Sequence, residues 1–186
     1  LLDEHVGPDG SVLELGRSAG RHLAHLHEAG YDDLTGLDLN PEAFDVLAET
    51  YPELDAAGTF HVGAIESFVA DLPDDAFDAV FSVETLQHVH PDDAWVFDEL
   101  VRVAGDLLVV VENESGAGDA ADAADEGAPG DGTASDDDAP AVNYVDDGVT
   151  LFYRDWSEVF VGRGASELET RRLDRDTLRA FRPGGD

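Results

Sequence analysis

The stretch "VLELGRSAGRHLAHL" runs from Val12 to Leu26. With Ser11 before it, Val12-Leu13-Glu14-Leu15 reads as a short buried strand. Gly16-Arg17-Ser18-Ala19-Gly20 then breaks the strand, and a helical pattern begins at once and runs to Gly30. Leu23 and Leu26 are expected to face inward, with Arg21, His22, His25 and Glu28 outward. A helix that opens directly after a glycine turn presents unpaired N–H groups and the positive end of its dipole. That suits a carboxylate or a phosphate. Gly16 and Gly20 have no Cβ, so the backbone can bend sharply and a ligand can lie against it.

The same alternation continues outward from this turn. Leu34 to Leu39 is a second strand, and Asn40-Pro41 supplies a cap and a first-turn proline for a helix with Phe44, Leu47 and Ala48 on one face. Gly58 to Ala64 is a third strand, followed by a short helical turn carrying Ile65, Phe68 and Val69. Phe77 to Glu84 is a fourth strand, and residues 90–104 form an amphipathic helix with Pro91 near its start. Asp106 to Asn113 is the most apolar strand and is expected at the centre of the sheet. Residues 154–164 read as a helix, and 166–174 and 176–183 as two strands joined by a turn. Strands alternating with helices across short loops predict an α/β, doubly wound parallel sheet covered on both faces.

Between Asn113 and Ala141 there is no Val, Leu, Ile, Phe, Tyr or Trp. Such a stretch cannot bury enough apolar surface to offset the entropy of ordering, so residues 113–148 read as a disordered acidic insertion in one domain spanning 1–186. The chain starts Leu-Leu and contains no Met, so an N-terminal segment is expected to be missing. Cysteine is absent, which excludes disulfides, thiolate zinc sites and cysteine nucleophiles. No apolar run approaches the roughly 20 residues that span a bilayer, and no signal peptide is visible, so a cytoplasmic protein without a membrane partner is expected.

The formal net charge is -33, and all ten basic residues are arginine. Acid spread along the whole chain resembles proteins of salt-loving archaea, whose surfaces work in molar salt, where the Debye length is about 3 Å. A dedicated patch for a basic partner is the rival, and a block of acid would favour it. The field opposes nucleic-acid binding, which needs basic patches. Seven of the ten arginines lie between Arg154 and Arg182, among six acids, so that surface is of mixed charge.

Asp38 ends the second strand, and its carboxylate belongs in the same crevice as the glycine turn, where it can accept both hydroxyls of a ribose. A phosphate-binding loop needs Gly-Lys-Ser/Thr, and the chain has no lysine. A dinucleotide fingerprint needs G-x-G-x-x-G, and its second and third glycines are absent from Gly16-Arg17-Ser18-Ala19-Gly20-Arg21.

"LELGRSAG" resembles motif I of the class I S-adenosylmethionine-dependent methyltransferases, and "GLDLN", "VGAIESF" and "FDAVFSVETLQHV" resemble the three motifs that follow it. The resemblance covers Val12 to Val111 and roughly Thr150 to Pro183. It implies a Rossmann-like three-layer sandwich with a mostly parallel, seven-stranded sheet and a reversed C-terminal strand. It implies an enzyme whose cofactor is S-adenosylmethionine. Gly16, Ser18 and Gly20 would wrap the methionine part, and Glu14 would hold the turn and the cofactor's amino group. Asp38 would take the ribose, Leu39 would lie against the adenine, and Ala64 and Ile65 would edge it. Ser82 and Val83 would line the methionine side. Two departures stand out: Ser18 replaces the usual middle glycine, and Ala64 stands where many members have an aspartate.

Methyl transfer from a sulfonium needs alignment and exclusion of water, and a base only where the acceptor must lose a proton. His88, after the fourth strand, is the candidate base, although an ordinary loop histidine explains it as well. His22, His25 and His27 have no carboxylates at metal-site spacing, so a solvated helix face and no metal are expected. Trp95 and Trp156 sit at apolar helix positions and read as core. Tyr144 and Tyr153 flank the end of the acidic insertion, and Tyr153 is a candidate for the acceptor pocket. With no basic groove, the expected acceptor is a small molecule. A non-catalytic cofactor-binding protein on the same fold and, behind it, a nicotinamide-dependent oxidoreductase are the alternatives.

Overall fold

The computed structural model describes residues 1–114, 141–145 and 149–184, with 141–145 and 149 as backbone alone. The chain opens with a short helix α1 (Leu2–His5), then β1 (Val12–Leu15), α2 (Arg21–Glu28), β2 (Leu34–Asp38), α3 (Glu42–Thr50), α4 (Pro52–Ala57) and β3 (Thr59–Val62). It continues through α5 (Ile65–Val69), β4 (Phe77–Val83), two single 3₁₀ turns (Leu86–His88 and Pro91–Asp93), α6 (Val96–Val103) and β5 (Ala104–Glu112). A hairpin of β6 (Ala141–Val145) and β7 (Val149–Tyr153), then α7 (Trp156–Val161), β8 (Ser166–Arg172) and β9 (Thr177–Arg182), complete it.

Seven strands form one sheet in the order β3-β2-β1-β4-β5-β9-β8, and β6 and β7 pair separately. The five strands β1 to β5 run parallel, and β9 runs antiparallel to both of its neighbours. The chain winds outward from β1 to β3, then returns to place β4 beside β1. That reversal opens a crevice at the carboxyl ends of β1 and β4, where open α/β sheets bind ligands.

Both faces of the sheet are covered, so β1 is buried at every position. Side chains alternate between two cores. Val12, Ala79, Phe81, Leu107 and Val109 face Leu23, Leu47 and Leu54 of α2, α3 and α4. Leu13, Leu15, Val80, Leu108 and Val110 face α6 and α7, where Phe97, Trp156, Phe160 and Phe181 pack ring to ring. The same parity sends Glu14 toward α2, and Ser82 and Glu112 toward the opposite side.

The expected elements appear, with local differences. β5 lies one place from the centre, which β4 occupies. The helix expected over 90–104 begins at Val96, because His90 caps only the Pro91–Asp93 turn through Nδ1, which accepts the Asp92 N–H. Trp95 sits at that junction, 42% exposed, and so is not core, whereas Trp156 is fully buried. The expected disordered span 113–148 meets described residues at both ends. Glu114 pairs with Arg179 at 2.6 Å, and Ala141–Val145 is a strand. Its other residues lie outside those described, as do the side chain of Tyr144 and the last two residues.

Candidate functional site at the sheet switch point

A crevice of about 350 Å³ opens at the carboxyl ends of β1, β2 and β4. Gly16, Asp38, Leu39, Ala64, Ile65 and His88 all line it, along with Leu37, Gly63, Glu66, Glu84, Thr85 and Val89. Asp38 is the pivot. Its Oδ2 accepts the Ser18 N–H at 2.7 Å, and its Oδ1 accepts the Asn40 N–H at 2.8 Å. One acceptor site remains on each oxygen for a ligand hydroxyl. The contact also explains how Ser18 tolerates a left-handed φ of +49°, uncommon away from glycine. Leu39 is 72% exposed, an apolar side chain left uncovered at the rim. A Cβ at Gly63 would meet nothing within 4 Å, so the adjoining floor is open. Apolar walls, a free carboxylate edge and an open floor fit an adenosine, so the residues present suit the expected cofactor.

Two features of the glycine turn were not anticipated. First, the space beside Gly16 is taken by this chain. Gly16 has φ +68°, and a Cβ there would stand 2.0 Å from Thr85 Oγ1. Thr85 is held by its hydroxyl, which donates to the Val83 carbonyl at 3.0 Å. Second, Arg17 is buried. Its guanidinium stacks on Phe44 at 3.8 Å and Phe60 at 5.0 Å, and Nη1 donates to the Ser18 carbonyl. Nε and Nη2 have no hydrogen-bond partner among the described residues. Burial lowers its pKa, and nearby Asp38, Glu14 and Asp55 pull it back up. The stem crosses β2 at Gly36, where a Cβ would stand 2.4 Å from Arg17 Cδ. Gly36 between two strand residues was the available signal.

Glu14 lies behind the turn and is not among the residues that line this crevice. It is fully buried, and its Oε1 accepts from His22 Nδ1 at 2.7 Å, while Oε2 has no partner among the described residues. Burial raises its pKa, and the His22 contacts oppose that. His22 stays 37% exposed, as its outward position implies, yet aims Nδ1 inward, because strand parity puts Glu14 beneath the first turn of α2. No cluster of three or more metal-ligating side chains occurs among the described residues. Gly20 takes φ +81° and packs under Leu47.

Ser82 does not reach the crevice. It faces the other core and donates to Glu112 Oε1 at 2.8 Å. Glu112 is fully buried at the end of β5 and was not singled out from sequence, although a lone acid ending "LLVVVE" was a signal. Its Oε1 also accepts the N–H groups of Thr85 at 3.0 Å and Leu86 at 2.9 Å, and Oε2 accepts that of Gln87 at 3.4 Å. Burial pushes this carboxyl up to about 7, although those four donors favour the ionised form. Arg154 grips the same segment from its other end. Nη2 donates to the Val89 carbonyl at 2.6 Å, and Nη1 to those of Phe152 at 3.2 Å and Leu86 at 3.4 Å. Burial lowers this guanidinium to about 10, with Glu112 opposing. The crevice wall carrying Thr85, His88 and Val89 is thus held by a carboxylate on its donors and a guanidinium on its acceptors. Glu84, just before it, has φ +49°, a second left-handed non-glycine residue.

Val83 lines a second crevice of about 430 Å³ on the α2 side, with Leu2, Arg21, His22, His25, Leu26 and Phe81.

Residues 12–105 match a sequence family described as a methyltransferase domain. No curated protein matches the chain. Among solved structures, the PH0226 protein of Pyrococcus horikoshii superposes with a TM-score of 0.73 at 16% identity, covering 98% of this chain and 85% of that one. The 1,6-didemethyltoxoflavin-N1-methyltransferase of Burkholderia thailandensis, solved with 1,6-didemethyltoxoflavin and S-adenosylhomocysteine, gives 0.70 at 18% identity, covering 99% and 75%. A complex containing the Haloferax volcanii Trm112 methyltransferase activator gives 0.72 at 14% identity, covering 100% and 87%. At such identities these structures are similar in fold.

Proposed function

The chain belongs to the methyltransferase-domain family, and from that premise we propose that it transfers a methyl group from S-adenosylmethionine to a small-molecule acceptor. The observation that carries this reading is the meeting of Asp38 and the glycine turn in one crevice with apolar Leu39, Ala64 and Ile65. Asp38 would hold the ribose hydroxyls of the cofactor, and Leu39, Ala64 and Ile65 would flank its adenine. When bound, the cofactor supplies a methyl group on a positively charged sulfur, already activated for transfer. The protein then has to align the acceptor and exclude water. His88 lines the crevice, and where the acceptor must lose a proton from an O–H or N–H it would be the base.

The small-molecule acceptor is supported by a composition of ten basic residues against 43 acids, which does not suit nucleic acid, and by the 1,6-didemethyltoxoflavin-N1-methyltransferase among the similar folds. No helix among the described residues is long and apolar enough to cross a membrane. The lysine-free, acid-rich composition supports work in a salt-rich cytoplasm.

The test is calorimetric titration of S-adenosylmethionine and S-adenosylhomocysteine in about 2 M KCl, which screens the acidic surface. Micromolar binding is expected. Asp38→Ala should weaken both by about 1–3 kcal/mol, the cost of a lost charged hydrogen bond. Unchanged affinity in a folded Asp38→Ala variant would sink the ribose assignment.

A further inference from the structure

We propose that the second crevice, bounded by α1, the start of α2 and the end of β4, receives a carboxylate carried on an apolar body, with Arg21 as its cationic partner. Its walls are Leu2, Leu26, Phe81 and Val83, and its polar edge is Arg21, His22 and His25. Among the described residues, no acid lines it.

The polar edge is ordered from below. Buried Glu14 accepts from His22 Nδ1, which leaves His22 Nε2 to accept from Arg21 Nη2 at 3.2 Å. Arg21 is thus steered by an imidazole nitrogen, and no carboxylate pairs with it among the described residues. Its positive charge is left uncompensated beside an apolar hollow. A guanidinium fork with free N–H groups pairs bidentately with a carboxylate, and the start of α2 adds to that attraction. Strand parity supplies the rest. Phe81 and Val83 point to this face, and His22 meets the edge of Phe81 at 6.3 Å between ring centres.

The two crevices share no lining residue among those described, but Val83 of this one is followed in the chain by Glu84 and Thr85 of the first. The carboxylate therefore belongs either to the methyl acceptor or to the cofactor's own amino-acid end. That choice rests on the methyl-transfer reading; the carboxylate site does not.

The experiment follows the imidazole resonances of His22 and His25 by NMR while benzoate is added to the wild-type chain, Arg21→Ala and Leu26→Trp, each checked for a native thermal transition. Saturable shifts are expected in the wild type. Arg21→Ala should raise the midpoint at least fivefold, and Leu26→Trp, which fills the hollow, should abolish the response. The titration is repeated with saturating S-adenosylhomocysteine. Benzoate that still binds identifies an acceptor carboxylate. Benzoate that is displaced, with S-adenosylhomocysteine at least fivefold weaker in Arg21→Ala, identifies the cofactor's carboxylate. The proposal is overturned if Arg21→Ala changes the affinity of neither probe. If S-adenosylhomocysteine does not bind the folded chain while benzoate does, the methyl-transfer reading fails and the carboxylate site stands.

Discussion

Arg17 shows how one buried cation shapes the turn. Its charge rests on the Phe44 ring, while two of its nitrogens find no acceptor among the described residues. The physical question is whether its charge or its volume holds the turn. Replacing a buried charge with an apolar group of similar size is often nearly neutral, whereas removing the volume leaves a cavity. Arg17→Met should therefore stay within about 1 kcal/mol of wild type, and Arg17→Ala should lose about 2–4 kcal/mol, measured by urea unfolding in constant KCl. Equal losses in the two variants would assign the role to the charge. Gly16 poses a separate question. Gly16→Ala meets Thr85 Oγ1 at 2.0 Å and also forces a left-handed φ onto alanine, and it should cost about 1–3 kcal/mol. Thr85→Gly in that background should recover the steric part and leave the backbone part. No recovery in the double variant would mean that Thr85 does not stand over Gly16 in solution.

At the level of elements, the segment after β4 is held by a group from β5 and by Arg154, which directly follows β7. Glu112 satisfies its N–H groups, and Arg154 its carbonyls. Glu112→Ala strands the Thr85 and Leu86 N–H groups and the Ser82 hydroxyl, and should cost about 2–4 kcal/mol. Glu112→Gln keeps an acceptor oxygen and should cost far less. The pH dependence follows from the direction of the shift. The ordinary carboxyl titrates at 4.5, and burial raises this one to about 7 in the folded chain. Between those values the folded chain holds a proton that the unfolded chain has lost. Glu112 therefore stabilises most below the lower value, and its contribution falls as pH rises to the upper one. Glu14, also raised by burial, acts in the same direction. The check is the wild-type minus Glu112→Gln difference in unfolding free energy from pH 4.5 to 8. It should move against the wild type across that window and then level off. A flat difference would show that the four donors already keep Glu112 ionised.

Across the whole molecule the strongest electrostatic influence is the net charge of -33. Ion pairs offset little of it. Arg179 joins Glu114 and Glu167, at 2.6 and 2.7 Å, and ties the end of β5 to the β8–β9 hairpin, while most acids have no such partner among the described residues. Self-repulsion should be relieved as the Debye length shrinks from about 10 Å at 0.1 M to about 3 Å at 1 M salt. The thermal midpoint should therefore climb steeply with KCl up to roughly 1 M and then flatten. A midpoint independent of KCl would mean that the acidic surface does not oppose folding, and the salt-adapted reading would lose its support.

Local chemistry determined the parts of this protein that depend on near neighbours. The strand–glycine–helix stretch from Val12 to Leu26, the Asn40-Pro41 helix start and the apolar β5 run were legible because hydrophobic periodicity and turn residues act within a few positions. The same local logic placed Gly16, Asp38, Leu39, Ala64 and Ile65 at the ends of their strands, where one crevice collects them. Only the tertiary structure decided what parity and topology bring together from afar. Ser82 and Val83 are adjacent in sequence yet face opposite cores, so Ser82 serves Glu112 while Val83 lines the second crevice. His22 reads as a surface residue on its own helix, and its Nδ1 aims inward because β1 presents Glu14 beneath it. Arg17 carries no burial signal in its own stretch of sequence, and Phe44, Phe60 and Gly36 enclose it from three other elements. Burial of a charged group is a property of its neighbours, and those neighbours are assembled only when the sheet closes.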